Sequence, residues 1–262
     1  LLKERGFIRM LEGKRMSKEE AKQFVDGLYR KMHERWKEKV TNGLFMRRLQ
    51  EGKLPMEAIQ LYYRNWAAFV LTINTLGLAV YYKQIDILKK DLKLMGLFAS
   101  KLVDEFGKPE PPGHILVLVK TGKALGLSEQ EVLSTPQLPA ARALGDFHKV
   151  VVWDGGIGDY WASVVWEEAM GYFSENWREA LIKKYHLKLD DVVYYTTHYE
   201  ADLKEHEGTA SHSSIVRGVL EYLLEQGYVD ERIGFGLEYC AVTPVDLNAV
   251  MLQGVLDALK IT

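Results

Sequence analysis

From Ser17 to about Lys260 the chain reads as one helix after another, each opened and closed by its own signal. Ser17-Lys18-Glu19-Glu20 is a capping box, and behind it Ala21, Phe24, Val25, Leu28, Tyr29 and Met32 recur at three and four, with a stop near Asn42-Gly43. Pro55 suits the first turn of the next helix, which runs through Tyr62, Tyr63, Trp66, Phe69 and Val70 towards Tyr82 and is apolar nearly all round, the mark of a buried element. A third helix is expected from about Asp86 to Phe106, stopped by the loop Gly107 to Gly113, whose three prolines no helix crosses. Further helices are expected from His114 to Gly126, behind a second capping box at Ser128, from Leu138 to Trp153, and from Tyr160 to Tyr185. Another covers Tyr194 to His206, one runs from His212 to Gln226, and a last segment reaches about Lys260, interrupted by Pro244. With no internal repeat, low-complexity stretch or linker, the expectation is one all-α domain over residues 1–262, a helical bundle with antiparallel neighbours where connections are short.

Composition narrows the function. A chain of 262 residues can bury a sizeable core, and a net charge of −2 with a pI near 6.4 leaves no electrostatic footprint for nucleic acid or an anionic membrane. The single cysteine, Cys240, excludes an internal disulfide framework and a cysteine-rich zinc site. It sits in an apolar run and reads as a packed core thiol. No apolar run reaches the roughly 18 residues of a membrane span, and the amino end lacks a signal-peptide pattern. The expectation is a cytoplasmic protein with a small-molecule substrate. The glycines of Asp154-Gly155-Gly156-Ile157-Gly158 match neither phosphate-binding fingerprint and read as a turn.

Chemistry concentrates in Tyr194 to His206. As a helix, this stretch places Asp202 about 40° and His206 about 80° to one side of His198, and Glu205 about 20° to the other. Imidazole and carboxylate on one face suit zinc, iron or manganese. A solvated helix that merely carries these groups outside is the competing reading. Upstream, Glu167 and Glu168 lie side by side among Trp161, Val164, Val165, Trp166 and Met170. The helical wheel leaves open which of them faces inward. His148, His186 and His212 read as structural or surface residues.

Local strings carry a resemblance. Leu49 to Tyr62, with Gly52-Lys53-Leu54 before Ile59-Gln60-Leu61-Tyr62, resembles the opening of the heme-oxygenase-like fold shared by the thiaminase II and pyrroloquinoline-quinone synthase families. Val103-Asp104-Glu105-Phe106-Gly107, then His114, then Gly122 to Leu127, resemble the metal-binding branch of that fold, the heme-oxygenase-like diiron oxidases and oxygenases. The resemblance implies a ligand set of Glu105, His114, Glu167, His198 and Asp202, with a sixth from Glu205 or His206. Its usual last histidine falls at the position of Glu205, and imidazole chemistry favours His206.

It also implies two irons per chain, with manganese as an alternative, dioxygen as co-substrate, a small amino-acid-like or fatty-acid-like substrate, and a homodimer. The apolar helix from Tyr62 to Val80 offers surface for such a dimer. Two other readings stand beside this one: a cofactor-free oxidase like the quinone synthases, for which no set of basic and histidine residues is evident, and a metal-free helical binding or interaction protein. The thiaminase II chemistry needs a cysteine in the middle of the fold, and this chain has none there.

Overall fold

The computed structural model describes residues 13–134, 136–204, 210–229 and 234–262, and every regular element among them is helical. The α-helices are α1 (Lys18–Trp36), α2 (Leu44–Gln50), α3 (Met56–Lys83), α4 (Ile85–Leu88), α5 (Leu92–Gly107), α6 (His114–Ala124) and α7 (Glu129–Ser134). They continue as α8 (Pro139–Asp154), α9 (Ile157–Ala162), α10 (Glu167–Tyr185), α11 (Val193–Leu203), α12 (His212–Gln226) and α13 (Leu237–Ala258). The capping box at Ser17 is formed, with the Glu20 amide bonded to Ser17 Oγ and the Glu20 carboxylate returning to the Ser17 amide.

The apolar faces of these helices meet in one continuous cluster of buried side chains. At its centre Tyr62 of α3 stacks on Trp177 of α10 at 4.7 Å between ring centroids, and Trp177 stacks in turn on Tyr195 of α11 at 5.3 Å. Each such buried ring contributes roughly 1.5–3 kcal/mol. This cluster locks α3, α10 and α11 together. Tyr63, Trp66, Phe69, Val70 and Val80 are likewise buried within the chain, so most of α3 is covered by its own fold rather than left for a partner.

Three expected boundaries move. The helix expected from Asp86 is divided, because Asp91 caps a fresh start by accepting from the Leu94 amide at 3.0 Å. The helix expected from Tyr160 to Tyr185 breaks at residues 163–166. There the Ser163 carbonyl faces the His148 ring at 3.1 Å, and the Glu167 amide bonds back only three residues, to Val164. The break makes Glu167 the first residue of α10. Pro244, expected as an interruption, lies inside an unbroken α13. That helix alone among those described has the length and mean hydropathy of a membrane span; half of the stretch is buried, and α13 packs on α8 and α1.

Candidate metal centre

Five helices converge on one buried cluster. Lys101, Asp104 and Glu105 come from the second half of α5, His198 and Asp202 lie one turn apart on α11, and His114, Glu167 and His212 are the first residues of α6, α10 and α12. Two glycines bring these elements close. Gly113 has φ +77°, and a Cβ there would stand 2.0 Å from the Glu105 carbonyl oxygen, so the proline-rich loop folds back tightly enough to set His114 against Glu105. Gly171 of α10 meets Leu203 of α11, where an added Cβ would fall 2.5 Å from Leu203 Cγ. That close approach carries Asp202 towards Glu167.

His114, Asp202 and His212 are each 1% exposed. His114 Nδ1 stands 3.0 Å from Glu105 Oε2, His198 Nδ1 3.5 Å from Asp202 Oδ2, and His212 Nδ1 3.2 Å from Asp202 Oδ1 and 3.6 Å from Glu105 Oε1. The other nitrogen of His212 bonds Asp104 Oδ2 at 2.7 Å, an arrangement that fixes the ring and raises its basicity. Glu167, Asp202 and His212 each offer a donor atom, and those atoms lie within 4.8 Å of one another. His114 Nδ1, His198 Nε2 and Asp202 Oδ2 are buried without a hydrogen-bond partner. Buried polar atoms are costly when left unpaired, and here they belong to the nitrogen and carboxylate donors of one cluster. The donor set fits iron or manganese.

The electrostatics agree. Burial alone would raise the Asp104 pKa, but the hydrogen bond and charge of His212, with Lys108 beside it, bring it down to about 2. Glu105 is held well below the carboxylate range against its burial, by His114, His212 and Lys101. Burial and Lys101 push His212 down, yet its bonds to Asp104 and Asp202 lift it to about 10. Glu167 and Lys101, an ion pair at 2.6 Å, both shift upward: burial raises Glu167 more than Lys101 lowers it, and the Glu167 and Glu105 charges outweigh the burial of Lys101. Around this pair stand four carboxylates, Asp104, Glu105, Glu167 and Asp202, against the ammonium groups of Lys101 and Lys108 and the imidazolium of His212.

Part of the cluster borders a partly open cavity of about 720 Å³, a volume that includes solvent space. Its walls are apolar, with Trp66, Phe69, Val70, Ile73, Phe98 and Met170 among them, while Lys101, Glu105, Glu167, His198 and Asp202 line the polar end. Tyr194 packs its ring 4.4 Å from that of His198 and accepts a hydrogen bond from Trp66 Nε1 at 2.7 Å, which holds α11 in register with α3.

Of the residues picked out in sequence, Glu105, His114, Glu167, His198 and Asp202 come together here. Glu168 turns away to His33 at 2.7 Å and to Arg217 at 3.7 Å. Glu205 and His206, the two candidates for a sixth ligand, lie outside the described residues. His212, read from sequence as structural or surface, is instead buried in the cluster. The apolar stripe Ile215, Val216, Val219, Leu220 and Leu223 carried that signal, because extending it back one turn places residue 212 on the buried face. His148, between the Leu144 and Ser163 carbonyls, and Cys240, packed against Asp159, serve the core as expected.

The chain has the heme-oxygenase-like fold, and three solved structures are similar to it. A domain of unknown function with that fold from Shewanella denitrificans OS217 is 18% identical, with TM-score 0.70 over 90% of this chain and 94% of that one. A TenA homologue from P. horikoshii OT3 is 17% identical (TM-score 0.62, 89% and 98%), and a TenA family transcription regulator from Silicibacter sp. TM1040 is 14% identical (TM-score 0.55, 93% and 97%). Residues 91–238 match the family of iron-containing redox enzymes, and the chain belongs to that family. No curated protein matches the chain in sequence.

Proposed function

We propose that this protein is a nonheme diiron oxidase or oxygenase that uses dioxygen on a small, largely apolar organic substrate. The observation that carries the reading is the convergence of Glu105, His114, Glu167, His198, Asp202 and His212, three of them (His114, His198 and Asp202) with unpaired buried atoms and four of them (Glu105, Glu167, His198 and Asp202) lining an apolar cavity. Two irons per chain would be held by these six, with His212 as the sixth donor. Bound iron supplies the one-electron chemistry that dioxygen requires and that amino-acid side chains lack. The chain does the rest. Asp104 orients His212, Trp66 and Tyr194 seat the helix that carries His198, and the aromatic walls exclude water from the polar end and take up the apolar part of a substrate. The substrate resembles amino acids or fatty acids only in size and class. A cytoplasmic homodimer is part of the same proposal, its contact sought among exposed apolar side chains such as Tyr82, Val150 and Trp153 rather than on buried α3.

A second reading has an observation of its own. The bonds from Lys101 to Glu167 and from His212 to Asp104 neutralise part of the cluster with protein cations alone, as a metal-free binding protein would require. Metal content separates the two. Protein dialysed anaerobically against excess ferrous iron takes up iron towards two per chain and then consumes oxygen faster than free ferrous iron does. Uptake near zero would favour the metal-free reading.

A further inference from the structure

Among the described residues Lys101 is the one lysine or arginine lining the cavity, and it occupies a position that a metal would also seek. It sits one turn before Glu105 on α5, is 7% exposed, and places its ammonium 2.6 Å from Glu167 Oε2 and 3.9 Å from Glu105 Oε1. Glu105 is also approached by two imidazoles, His114 Nδ1 at 3.0 Å from Oε2 and His212 Nδ1 at 3.6 Å from Oε1, whereas the ion pair of Glu167 is with Lys101. The donors are therefore unequally free: His114, His198 and Asp202 carry buried atoms without a hydrogen bond, while the Glu167 carboxylate already holds a cation.

We infer that Lys101 is a resident counter-cation of Glu167 and Glu105 and competes there with the second metal ion. The physical grounds are charge and lone pairs. A carboxylate oxygen in a 2.6 Å bond to an ammonium has spent its best acceptor direction and part of its field on that partner. An ammonium and a divalent cation repel each other strongly when both approach the same buried acids. The first ion meets no such rival at the free donor atoms of His114, His198 and Asp202, none of which Lys101 pairs with. The second ion binds only as Lys101 withdraws, and the cavity it lines is where a flexible four-carbon stem has room to go. The chain thus carries one tight and one weak metal site, and the lysine sets the gap between them. This rests on the proposed metal centre.

Anaerobic equilibrium dialysis of the full chain against ferrous iron, with bound iron counted by colorimetry, tests the inference without reference to activity. The wild type is expected to fill in two steps whose dissociation constants differ at least tenfold. In Lys101→Met, which keeps the volume and removes the charge, the second step should tighten until the two lie within about threefold. Lys101→Gln, a second neutral variant, should do the same, and far-UV circular dichroism with thermal melts shows whether either is folded. Two equal steps in the wild type overturn the inference even if neither variant folds. An unchanged tenfold gap in a folded neutral variant overturns it as well. Absence of any iron uptake in the wild type and the variants would instead remove the metal centre itself, a result distinguishable from either.

Discussion

His114 Nδ1 lies 3.0 Å from Glu105 Oε2, yet the two do not have the alignment of a hydrogen bond. Donor atoms that face a shared third point, rather than one another, produce this combination of short distance and poor angle. Gly113 is what makes it possible, because no side chain fits where the loop turns back onto the α5 carbonyl.

Gly113→Ala is therefore expected to disturb fold and site together. Its φ of +77° strains any L-residue and the clash is with backbone, so the cost is on the order of 1–3 kcal/mol, a drop in Tm of several degrees. Iron retention should fall in the same variant. A melt unchanged from wild type would show that the loop is free to open.

Ligand removal should separate fold from chemistry. His198→Ala and Asp202→Ala each delete one donor and should weaken iron binding by about tenfold or more, with helicity nearly unchanged. Glu168→Gln should leave iron binding untouched, since Glu168 faces His33 and Arg217. Equal losses in Glu168→Gln and Glu167→Gln would contradict the inward orientation of Glu167.

His212 is the sixth donor that we propose. Expected behaviour is that His212→Ala loses iron as His198→Ala does, while Glu205→Ala and His206→Ala retain it, measured by iron content after anaerobic loading and desalting. If His206→Ala loses iron and His212→Ala does not, the assignment returns to the central helix and its continuation.

Asp159 offers a control far from donor chemistry. Its carboxylate accepts from the backbone amides of Gly156 at 2.8 Å, Phe235 at 3.3 Å and Gly236 at 3.1 Å, tying the turn before α9 to the start of α13. Asp159→Ala strands those part-buried amides and should cost roughly 1–3 kcal/mol in a denaturant titration, since a fully buried unsatisfied amide costs about 1–3 kcal/mol and water reaches these in part. The folded fraction should still load iron.

Stability should decline above pH 10. Burial holds Tyr62, Tyr63, Tyr194 and Tyr195 well above the ordinary phenol range, and burial with the charge of Asp91 pushes Tyr222 up to about 12. For a group whose folded pKa is raised, the protonated form is favoured by the fold. Its contribution is complete below the unfolded value of about 10 and is lost as pH rises from there towards the folded value. Thermal melts between pH 8 and 11.5, with phenolate absorbance followed in parallel, should show a falling Tm and a buried class of tyrosines that ionises only on unfolding. A flat Tm across that window would refute it.

The helical architecture was legible in the sequence because caps, glycines, prolines and the spacing of apolar residues act over one or two turns. The starts of α1, α3, α6 and α12 follow from such local signals. Glu105, His114, Glu167, His198 and Asp202, which the fold brings together, were picked out through the resemblance and, for His198 and Asp202, through their four-residue spacing on one helical face. What local pattern could not decide depends on contacts between distant segments. Glu167 faces inward only because Ser163 turns its carbonyl to His148, fifteen positions earlier in the chain, and ends α9 so that a new helix begins at residue 167. His212 joins Asp104 across 108 positions of chain, and Lys101 meets Glu167 across 66. Such pairings are set by how whole helices pack, since a buried charge is tolerable only where tertiary structure supplies its partner.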